Sequence, residues 1–386
     1  MTRGSIAIAG LGMTEMGKVY GRTATDFAAE AIALALDDAG LAMHEVDGLL
    51  VHGNLSPEMN ANLQLVLGFR DLSVLSTMSA FGSTSATLMQ YAEHVIGSAQ
   101  AEVVVMVYAD APLQQGGSAG AAYAAERRVT GMDSLDHAYG FYGANIGYAM
   151  AARRHMELYG TTSEQLGAVA VAQRQWAMRN QRAQMRTPMT IADHQASRWV
   201  AEPLHLLDCC LVSNGAVAVV VTSAVRARSL RQPPVYVLGT GQAAPGDSRR
   251  TDREPGIHTG AAASGKRAFA AAGVGPGDFD LLELYDCYTY TVLVTIEDYG
   301  FCAKGEGGAF VEDGRLGPGG SLPTNTGGGQ LSAYYMWGFT PLSEAIVQAR
   351  GQAGERQVDP HELVLVSGNG GFLNYHGTIV LSRREP

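Results

Sequence analysis

Two stretches far apart in the chain share one arrangement of residues, and this internal repeat constrains the fold more than any other feature. Residues 38–51 read DAGLAMHEVDGLLV, and residues 271–284 read AAGVGPGDFDLLEL. Three pairs of positions match at one constant separation: Gly40 with Gly273, Asp47 with Asp280, and Leu49 with Leu282. Each stretch predicts the end of a helix, a short polar turn and an apolar strand. The repeat therefore indicates an internal duplication.

The rest of the chain alternates predicted strands and helices, which is typical of an α/β protein. With 386 residues, the chain exceeds the usual size of one core. We predict a first half over residues 1–233 and a second half over residues 234–386. Residues of about 111–199 interrupt the alternation with glycine-rich loops and two long helical stretches, so we predict a mostly helical insertion in the first half.

Composition excludes several classes of function. The formal net charge of −10 argues against nucleic-acid binding and against a generic anionic membrane surface. No apolar run is long enough to span a bilayer, and the N-terminus lacks a signal-peptide pattern. The four cysteines have neither a disulfide framework nor metal-ribbon spacing, so we expect a reduced, cytoplasmic protein without a metal site.

Three segments carry a resemblance to a known family. They read LLDCCLVSNGAVAVVV in the first half, and LELYDCY and NTGGGQLSAYYMWG in the second. In this combination they resemble the thiolase superfamily, in particular its sterol-carrier and lipid-transfer-protein branch. The resemblance covers nearly the whole chain. It implies two duplicated βαβαβαββ-type halves in a five-layered αβαβα arrangement, with a loop insertion in the first half.

The departures from the thiolase pattern change the expected chemistry. The position of the thiolase nucleophilic cysteine, at the start of the helix after the third strand, falls on Ala80. Tyr285 stands where thiolases have Asn or His in the second motif, and Tyr335 stands at the histidine of their Gly-His-Pro block. The C-terminal block VSGNGGF lacks a cysteine. Tyrosine at both positions resembles the lipid-transfer-protein aldolases that cleave steroid side chains.

That resemblance implies a carbon–carbon lyase. Such an enzyme performs the retro-aldol cleavage of a β-hydroxyacyl-CoA, giving a ketone and a short acyl-CoA, and works with a small OB-fold protein of zinc-ribbon type. Coenzyme A enters as part of the substrate, and no separate cofactor is expected. The strand predicted in residues 71–80 is too apolar for an exposed edge, and the family resemblance implies that it pairs in a homodimer.

The two phenols suit this reaction. A retro-aldol cleavage needs a base for the β-hydroxyl proton and a donor for the thioester enolate, and Tyr285 and Tyr335 supply two hydroxyls. Packing is the alternative role for a buried tyrosine. If residues 333–350 form a helix, Tyr334 points about a hundred degrees away from Tyr335. Tyr334 and Tyr288 are therefore the packing controls.

Other candidates follow from the loops and the remaining cysteine. Gly328 and Gly329, with Asn369 and Gly370 in GNGG, are candidates for the oxyanion or substrate pocket. The alternatives are an ordinary turn for the glycines and hydrogen bonding within the loop for Asn369. By family resemblance, Arg249 and Arg250 lie near the docking place of CoA phosphates.

Two other functions remain open at this level. One is a scaffold subunit without catalysis. The other is a CoA-dependent acyltransferase with an unrecognised nucleophile, for which Cys287 is a candidate because a thiol can hold an acyl group.

Overall fold

The computed structural model describes residues 3–53, 55–120, 130–141, 143–246 and 254–385. The described strands are β1 Ile6–Met13, β2 Gly48–His52, β3 Val74–Met78, β4 Val103–Asp110, β5 Trp199–Ala201, β6 Leu204–His205, β7 Gly215–Ser223, β8 Val235–Ala243, β9 Leu281–Glu283, β10 Leu363–Gly370 and β11 Tyr375–Ser382. The described helices are α1 Ala24–Ala39, α2 Leu63–Leu67, α3 Thr84–Gly97, α4 Met132–Ala138, α5 Gly143–Tyr159, α6 Ser163–Ala177, α7 Ile191–Ala196, α8 Ala224–Ala227, α9 Ala261–Ala272, α10 Thr289–Tyr299, α11 Gly307–Phe310 and α12 Phe339–Ala349.

Strand order shows the duplication directly. The large sheet runs β3-β2-β4-β7-β1-β8-β11-β10-β9, and the two halves meet where β1 pairs with β8. Counted within its own half, the first half has the order third, second, fourth, fifth, first. The second half has the same order in mirror direction: from β8 the sheet continues with β11, β10 and β9, which are its fifth, fourth and second strands. In place of a third strand, Thr324 forms an isolated parallel bridge with Leu282 of β9. In both halves the last strand, β7 or β11, is antiparallel to its neighbours.

The matched residues of the sequence repeat have matched roles. Gly40 and Gly273 each end a helix in the left-handed conformation, with φ of 76° and 65°. The Asp47 carboxylate accepts hydrogen bonds from the backbone N–H groups of Glu102 and Val103 at the start of β4. Asp280 does the same for Glu362 and Leu363 at the start of β10. The shared spacing therefore reflects the same two features in both halves: a glycine that ends the helix and an aspartate that accepts the first N–H groups of a strand.

Glycine pairs in the first strand of each half let the outer helices pack closely. A Cβ atom added to Gly12 of β1 would lie 1.9 Å from the Ala31 carbonyl oxygen of α1. A Cβ atom added to Gly241 of β8 would lie 2.1 Å from the Ser264 carbonyl oxygen of α9. The outer helices α1 and α9 thus rest directly on the strand backbones.

Two further helices lie between the halves. Helix α3 packs against strands of both halves, and α12 packs against β1 and against β9 to β11. With α1 and α9 on the outer faces, helices and the two halves of the large sheet alternate in five layers, as the family resemblance predicts. The N-terminal ends of α3 and α12 meet, since a Cβ atom at Gly338 would lie 2.1 Å from the Gly82 carbonyl oxygen.

The insertion between β4 and β7 is mostly helical, as predicted, within the part that the structure describes. It contributes α4, α5, α6 and α7 and the short hairpin of β5 and β6. β7 ends at Ser223 and β8 begins at Val235. The division at residues 233 and 234 stays a prediction, since it lies in the connection between these strands.

Strand β3 occupies one end of the sheet, and within the described ranges it pairs with β2 alone. The apolar stretch predicted over residues 71–80 shortens to Val74–Met78, because the chain turns at both ends. Leu75 on this strand is 37% exposed. None of the helices in the described ranges is long and apolar enough to cross a membrane.

Because β1 and α1 are in such close contact, adding one methyl group at Gly12 should lower the stability of the protein. Gly12→Ala places Cβ against a backbone oxygen that cannot move without shifting α1, so we expect a loss of stability of roughly 1–3 kcal/mol. A thermal melt of the purified variant measures it. Gly277→Ala is the control, because its added Cβ would meet no atom within 4 Å. Equal melting temperatures for the two variants would contradict this account.

Candidate functional site

Tyr285 is held in the segment between β9 and α10. The segment follows the buried end of β9, and Tyr285 is only 4% exposed. Its ring lies against the turn before α3, since a Cβ atom added to Gly82 would be 2.1 Å from the ring carbon Cε2. Glycine at position 82 is therefore what lets the phenol reach the N-terminal end of α3.

Tyr335 reaches the same place from an extended segment, so the helix predicted from Ala333 is wrong at its start. A π-helical turn ends at Ala333, Tyr334 is extended with φ −159° and ψ 157°, and α12 begins only at Phe339. Extended backbone directs successive side chains to opposite sides. The Tyr334 hydroxyl lies 3.0 Å from the Ser343 hydroxyl, whereas the Tyr335 hydroxyl lies 3.1 Å from that of Tyr285.

The structure thus brings the two predicted phenols together. Burial raises the pKa of Tyr285 well above its ordinary value, neighbouring Cys287 adds to the increase, and the hydrogen bond with Tyr335 opposes it. Tyr285 therefore keeps its proton at neutral pH. Tyr335 is half-buried, so it is the more accessible of the two residues.

Ala80 lies at the start of the turn that leads into α3, as the family pattern predicts. Its N–H donates to the Thr84 hydroxyl at 2.8 Å, and its carbonyl accepts from the Ser83 hydroxyl. A Cβ atom on Gly370 would lie 2.1 Å from the Ala80 carbonyl oxygen. A methyl side chain offers no nucleophile at this position, so acyl transfer through residue 80 is chemically excluded.

Asn369 connects this turn to a residue that the sequence reasoning missed. The Asn369 amide donates to the Tyr148 hydroxyl at 2.8 Å, and that hydroxyl donates to the Gly371 carbonyl at 2.8 Å. The Asn369 side-chain oxygen is buried and has no hydrogen-bond partner among the described residues. Tyr148 belongs to α5 of the insertion, where no local pattern distinguishes it from a packing tyrosine. The oxyanion roles of Asn369 and Gly370 stay predictions.

Gly328 and Gly329 have structural surroundings of their own. Both are left-handed, with φ of 97° and 59°. A Cβ atom on Gly328 would lie 2.6 Å from the Ala177 Cβ atom, and one on Gly329 would lie 2.2 Å from an Asp286 carboxylate oxygen. The next amide, that of Gln330, donates to Asp286 at 2.8 Å. Their local geometry favours the turn role, and their part in substrate binding stays a prediction.

The Asp286 carboxylate holds the glycine loop by accepting hydrogen bonds from the backbone N–H groups of Gln330 and Leu331. Burial raises its pKa to about 7, while N–H groups of Gln330 and Leu331 oppose the increase. The carboxylate stands next to Tyr285 in sequence, yet its hydrogen bonds go to the loop that carries Tyr335. Asp286 therefore couples the positions of the two segments that hold the phenols.

The thiols near the site are protonated at neutral pH. Cys287 is 7% exposed, and burial raises its pKa to about 12. Burial also raises the pKa of Cys210 well above its ordinary value, and its backbone N–H donates to the Cys287 carbonyl at 3.0 Å. A thiol attacks as the thiolate, so the environment disfavours Cys287 as a nucleophile. Arg249 and Arg250 lie outside the described residues.

Known proteins share both the sequence and this architecture. Residues 241–383 match the family described as thiolase C-terminal domain-like. A 17-hydroxy-3-oxo-4-pregnene-20-carboxyl-CoA lyase of Mycobacterium tuberculosis is 36% identical, covering 96% of this chain and 98% of the relative. A steroid side-chain-cleaving aldolase of Thermomonospora curvata is 37% identical, covering 95% and 96%. A solved structure described as an Ltp2-ChsH2(DUF35) aldolase superposes with a TM-score of 0.89 at 34% identity, covering 99% and 98%.

The fold and these relatives define an enzyme of thiolase architecture, and residue 80, where the family pattern has the nucleophilic cysteine, is alanine. The likeness over nearly the whole chain is specific enough to place it further. The chain belongs to the thiolase superfamily and, within it, to the family of steroid side-chain-cleaving aldolases. The resemblance inferred from the sequence motifs is confirmed.

The protonated thiols predict low chemical reactivity. With pKa values of about 12 for Cys209, Cys287 and Cys302 and a raised value for Cys210, little thiolate exists at neutral pH. We expect the folded protein to resist iodoacetamide at pH 7.5, as intact mass spectrometry would show. The same protein unfolded in guanidinium is the control and should take up four adducts. Rapid, selective labelling of Cys287 in the folded protein would contradict this expectation.

Proposed function

We propose that the protein catalyses the retro-aldol cleavage of a β-hydroxyacyl-CoA whose acyl part is a steroid side chain. The observation that carries the proposal is the pair of hydroxyls of Tyr285 and Tyr335, 3.1 Å apart, at the N-terminal end of α3. The names of the relatives, a lyase of a pregnene carboxyl-CoA and a steroid side-chain-cleaving aldolase, support the substrate class. Coenzyme A is a part of this substrate and no separate cofactor is needed.

The reaction balances with proton transfer alone. The β-hydroxyl loses its proton and becomes the carbonyl of a ketone as the bond between Cα and Cβ breaks. The electron pair of that bond moves into the thioester and forms an enolate. A proton delivered to Cα then gives the short acyl-CoA. Two proton transfers and one stabilised enolate are what the site must provide.

The environments of the two phenols support a division of roles. Tyr335, half-buried, takes the β-hydroxyl proton as the phenolate, and the Tyr285 hydroxyl donates a hydrogen bond to the Tyr335 oxygen that stabilises this phenolate before the transfer. Burial keeps Tyr285 protonated, so it is suited to donating rather than accepting. The paired hydroxyls then provide the route by which the proton returns to Cα.

The end of α3 supports enolate formation. The helix has 14 residues, and its N-terminal end carries a partial positive charge. The turn from Ala80 to Ser83 presents this end beside Tyr285. In the proposed site, Asn369 and Gly370 complete the oxyanion pocket from the opposite strand, where Gly370 approaches the Ala80 carbonyl.

Removing single hydroxyl groups tests the proposal. Tyr285→Phe and Tyr335→Phe keep the rings, so packing changes little, but each variant lacks a group that transfers or stabilises charge. We expect each to lose roughly a hundredfold or more in kcat. The assay incubates purified protein and its partner with a steroid β-hydroxyacyl-CoA and measures the ketone and the acyl-CoA released. Melting temperatures should stay near wild type.

Two tyrosines outside the pair are the matched controls. The Tyr334 hydroxyl contacts Ser343, and the Tyr288 hydroxyl donates to Asn145 at 2.5 Å. Tyr334→Phe and Tyr288→Phe should therefore stay within several-fold of wild-type turnover. Full activity of both Tyr285→Phe and Tyr335→Phe would overturn the assignment of the phenols.

The same assay distinguishes retro-aldol cleavage from acyl transfer through a thiol. In the retro-aldol scheme no acyl group is bound to a thiol, so Cys287→Ser should cleave within several-fold of the wild-type rate. Intact mass after incubation with substrate should show no covalent acyl adduct. An adduct on wild type that is lost in Cys287→Ser would instead indicate an acyl-enzyme.

We further propose a homodimer that binds a small OB-fold protein of zinc-ribbon type. The outer edge of β3 has no partner strand among the described residues and exposes part of Leu75, which supports pairing of two copies. The name of the solved relative, an Ltp2-ChsH2(DUF35) aldolase, supports a DUF35 partner. Light scattering at micromolar concentration should give the mass of a dimer, and Leu75→Glu should shift it toward a monomer. A wild-type protein that stays monomeric would contradict the dimer.

A further inference from the structure

A second cleft lies away from the tyrosine pair. It is bounded by the C-terminal ends of α1 and α12 and by residues 178–186, which follow α6. Its volume is about 920 Å³, within the range of roughly 300–1000 Å³ typical of small-molecule sites. Neither Tyr285 nor Tyr335 lines it. The cleft is therefore a separate concavity on the enzyme.

The charge of the cleft is opposite to that of the protein. Three acidic residues line it, Asp37, Asp38 and Glu355. Six arginines line it: Arg179, Arg182, Arg186, Arg231, Arg350 and Arg356. Six positive and three negative charges leave a local balance of +3, whereas the whole chain has −10. A positive concavity on an acidic protein attracts anions selectively.

Half of these arginines are available to a ligand. Arg231 is paired with Asp37 and Arg356 with Glu344, both within 2.9 Å. In contrast, Arg179, Arg182 and Arg186 form no ion pair with any carboxylate of the described residues, and all three are exposed. They follow one another along a single loop segment at the rim of the cleft.

Arg350 provides an independent indication of a ligand. Its side chain is only 1% exposed, and Nη1 contacts an Asp38 carboxylate oxygen at 2.7 Å. Its Nε and Nη2 atoms are buried and have no hydrogen-bond partner among the described residues. Leaving the donors of a buried cation unpaired is costly, so an acceptor from outside the chain would complete this site.

We propose that this cleft binds a small molecule that carries phosphate groups. Guanidinium groups bind phosphate through paired hydrogen bonds, and several of them around one volume match a ligand with more than one negative charge. The same chemistry exists in the nucleotide part of a CoA ester and in a separate phosphorylated metabolite. The proposal is independent of the reaction at the tyrosine pair.

The arginine segment is connected to the backbone that presents Tyr335. The N–H groups of Gln184 and Met185 donate to the carbonyls of Ala333 and Ser332 at 3.1 and 2.9 Å. The Gln184 side chain also donates to the Ser213 hydroxyl, which accepts the Tyr335 N–H at 3.0 Å. An anion that orders residues 179–186 would thereby stabilise the position of Tyr335.

Titration calorimetry on the full chain tests the proposal with two probes, pyrophosphate and adenosine 3′,5′-bisphosphate. We expect binding that weakens with added salt, and a loss of affinity of roughly tenfold or more in the double variant Arg179→Ala/Arg186→Ala. Both substitutions are at exposed positions, so the fold is preserved. Arg350→Met should weaken binding as well. Arg384→Ala, which removes an exposed arginine outside the cleft, and Tyr335→Phe should bind like wild type.

The two probes distinguish the sources of the phosphate. Variant-sensitive binding of the bisphosphate alone would identify the nucleotide part of a CoA ester, and similar variant-sensitive binding of both probes would identify a separate phosphorylated metabolite. The proposal is overturned if neither probe binds, or if the double variant and wild type bind both probes equally.

Discussion

Everything at the site depends on one close contact between the two halves of the protein. The turn before α3 presents its Gly82 carbonyl to Gly338 and Gly368 of the second half, where added Cβ atoms would lie 2.1 and 2.5 Å away. Because no side chain separates these backbones, the N-terminal ends of the two central helices meet. The Tyr285 ring closes over the same glycine. The duplicated fold thereby brings the turn before α3, from the first half, into contact with Tyr285, from the second half.

Burial then decides what chemistry that volume can perform. Burial raises the pKa of Tyr285, Cys287 and Cys210, so these thiols and the Tyr285 phenol remain protonated at neutral pH. A thiolate nucleophile is absent at residue 80, where the side chain is a methyl group. Hydrogen-bonded phenols are suited to moving a proton and stabilising an enolate, which is the requirement of an aldolase. In the proposed reaction, the thiolase fold therefore carries out a different chemistry through a few side chains.

Local patterns along the chain predicted some features and failed at others for identifiable reasons. The repeated Gly and Asp positions predicted two equivalent units because capping and strand ends depend on residues close in sequence. The segment around Tyr335 was predicted as helix, yet Tyr334 is extended and α12 begins at Phe339. Two left-handed glycines and the Asp286 carboxylate hold that loop, and Asp286 comes from a distant segment. Helical propensity could not reveal that tertiary anchor.

The sequence by itself determined the duplication, the alternation of strands and helices, the absence of a cysteine at residue 80 and the presence of tyrosines at two motif positions. These are properties of residue type and short-range spacing. Only the tertiary structure decided that Tyr285 and Tyr335 share a hydrogen bond, that Tyr148 of the insertion contacts Asn369, and that arginines from three segments line one cleft. Those contacts join residues far apart in the chain, and they exist only once the packed layers bring their backbones together.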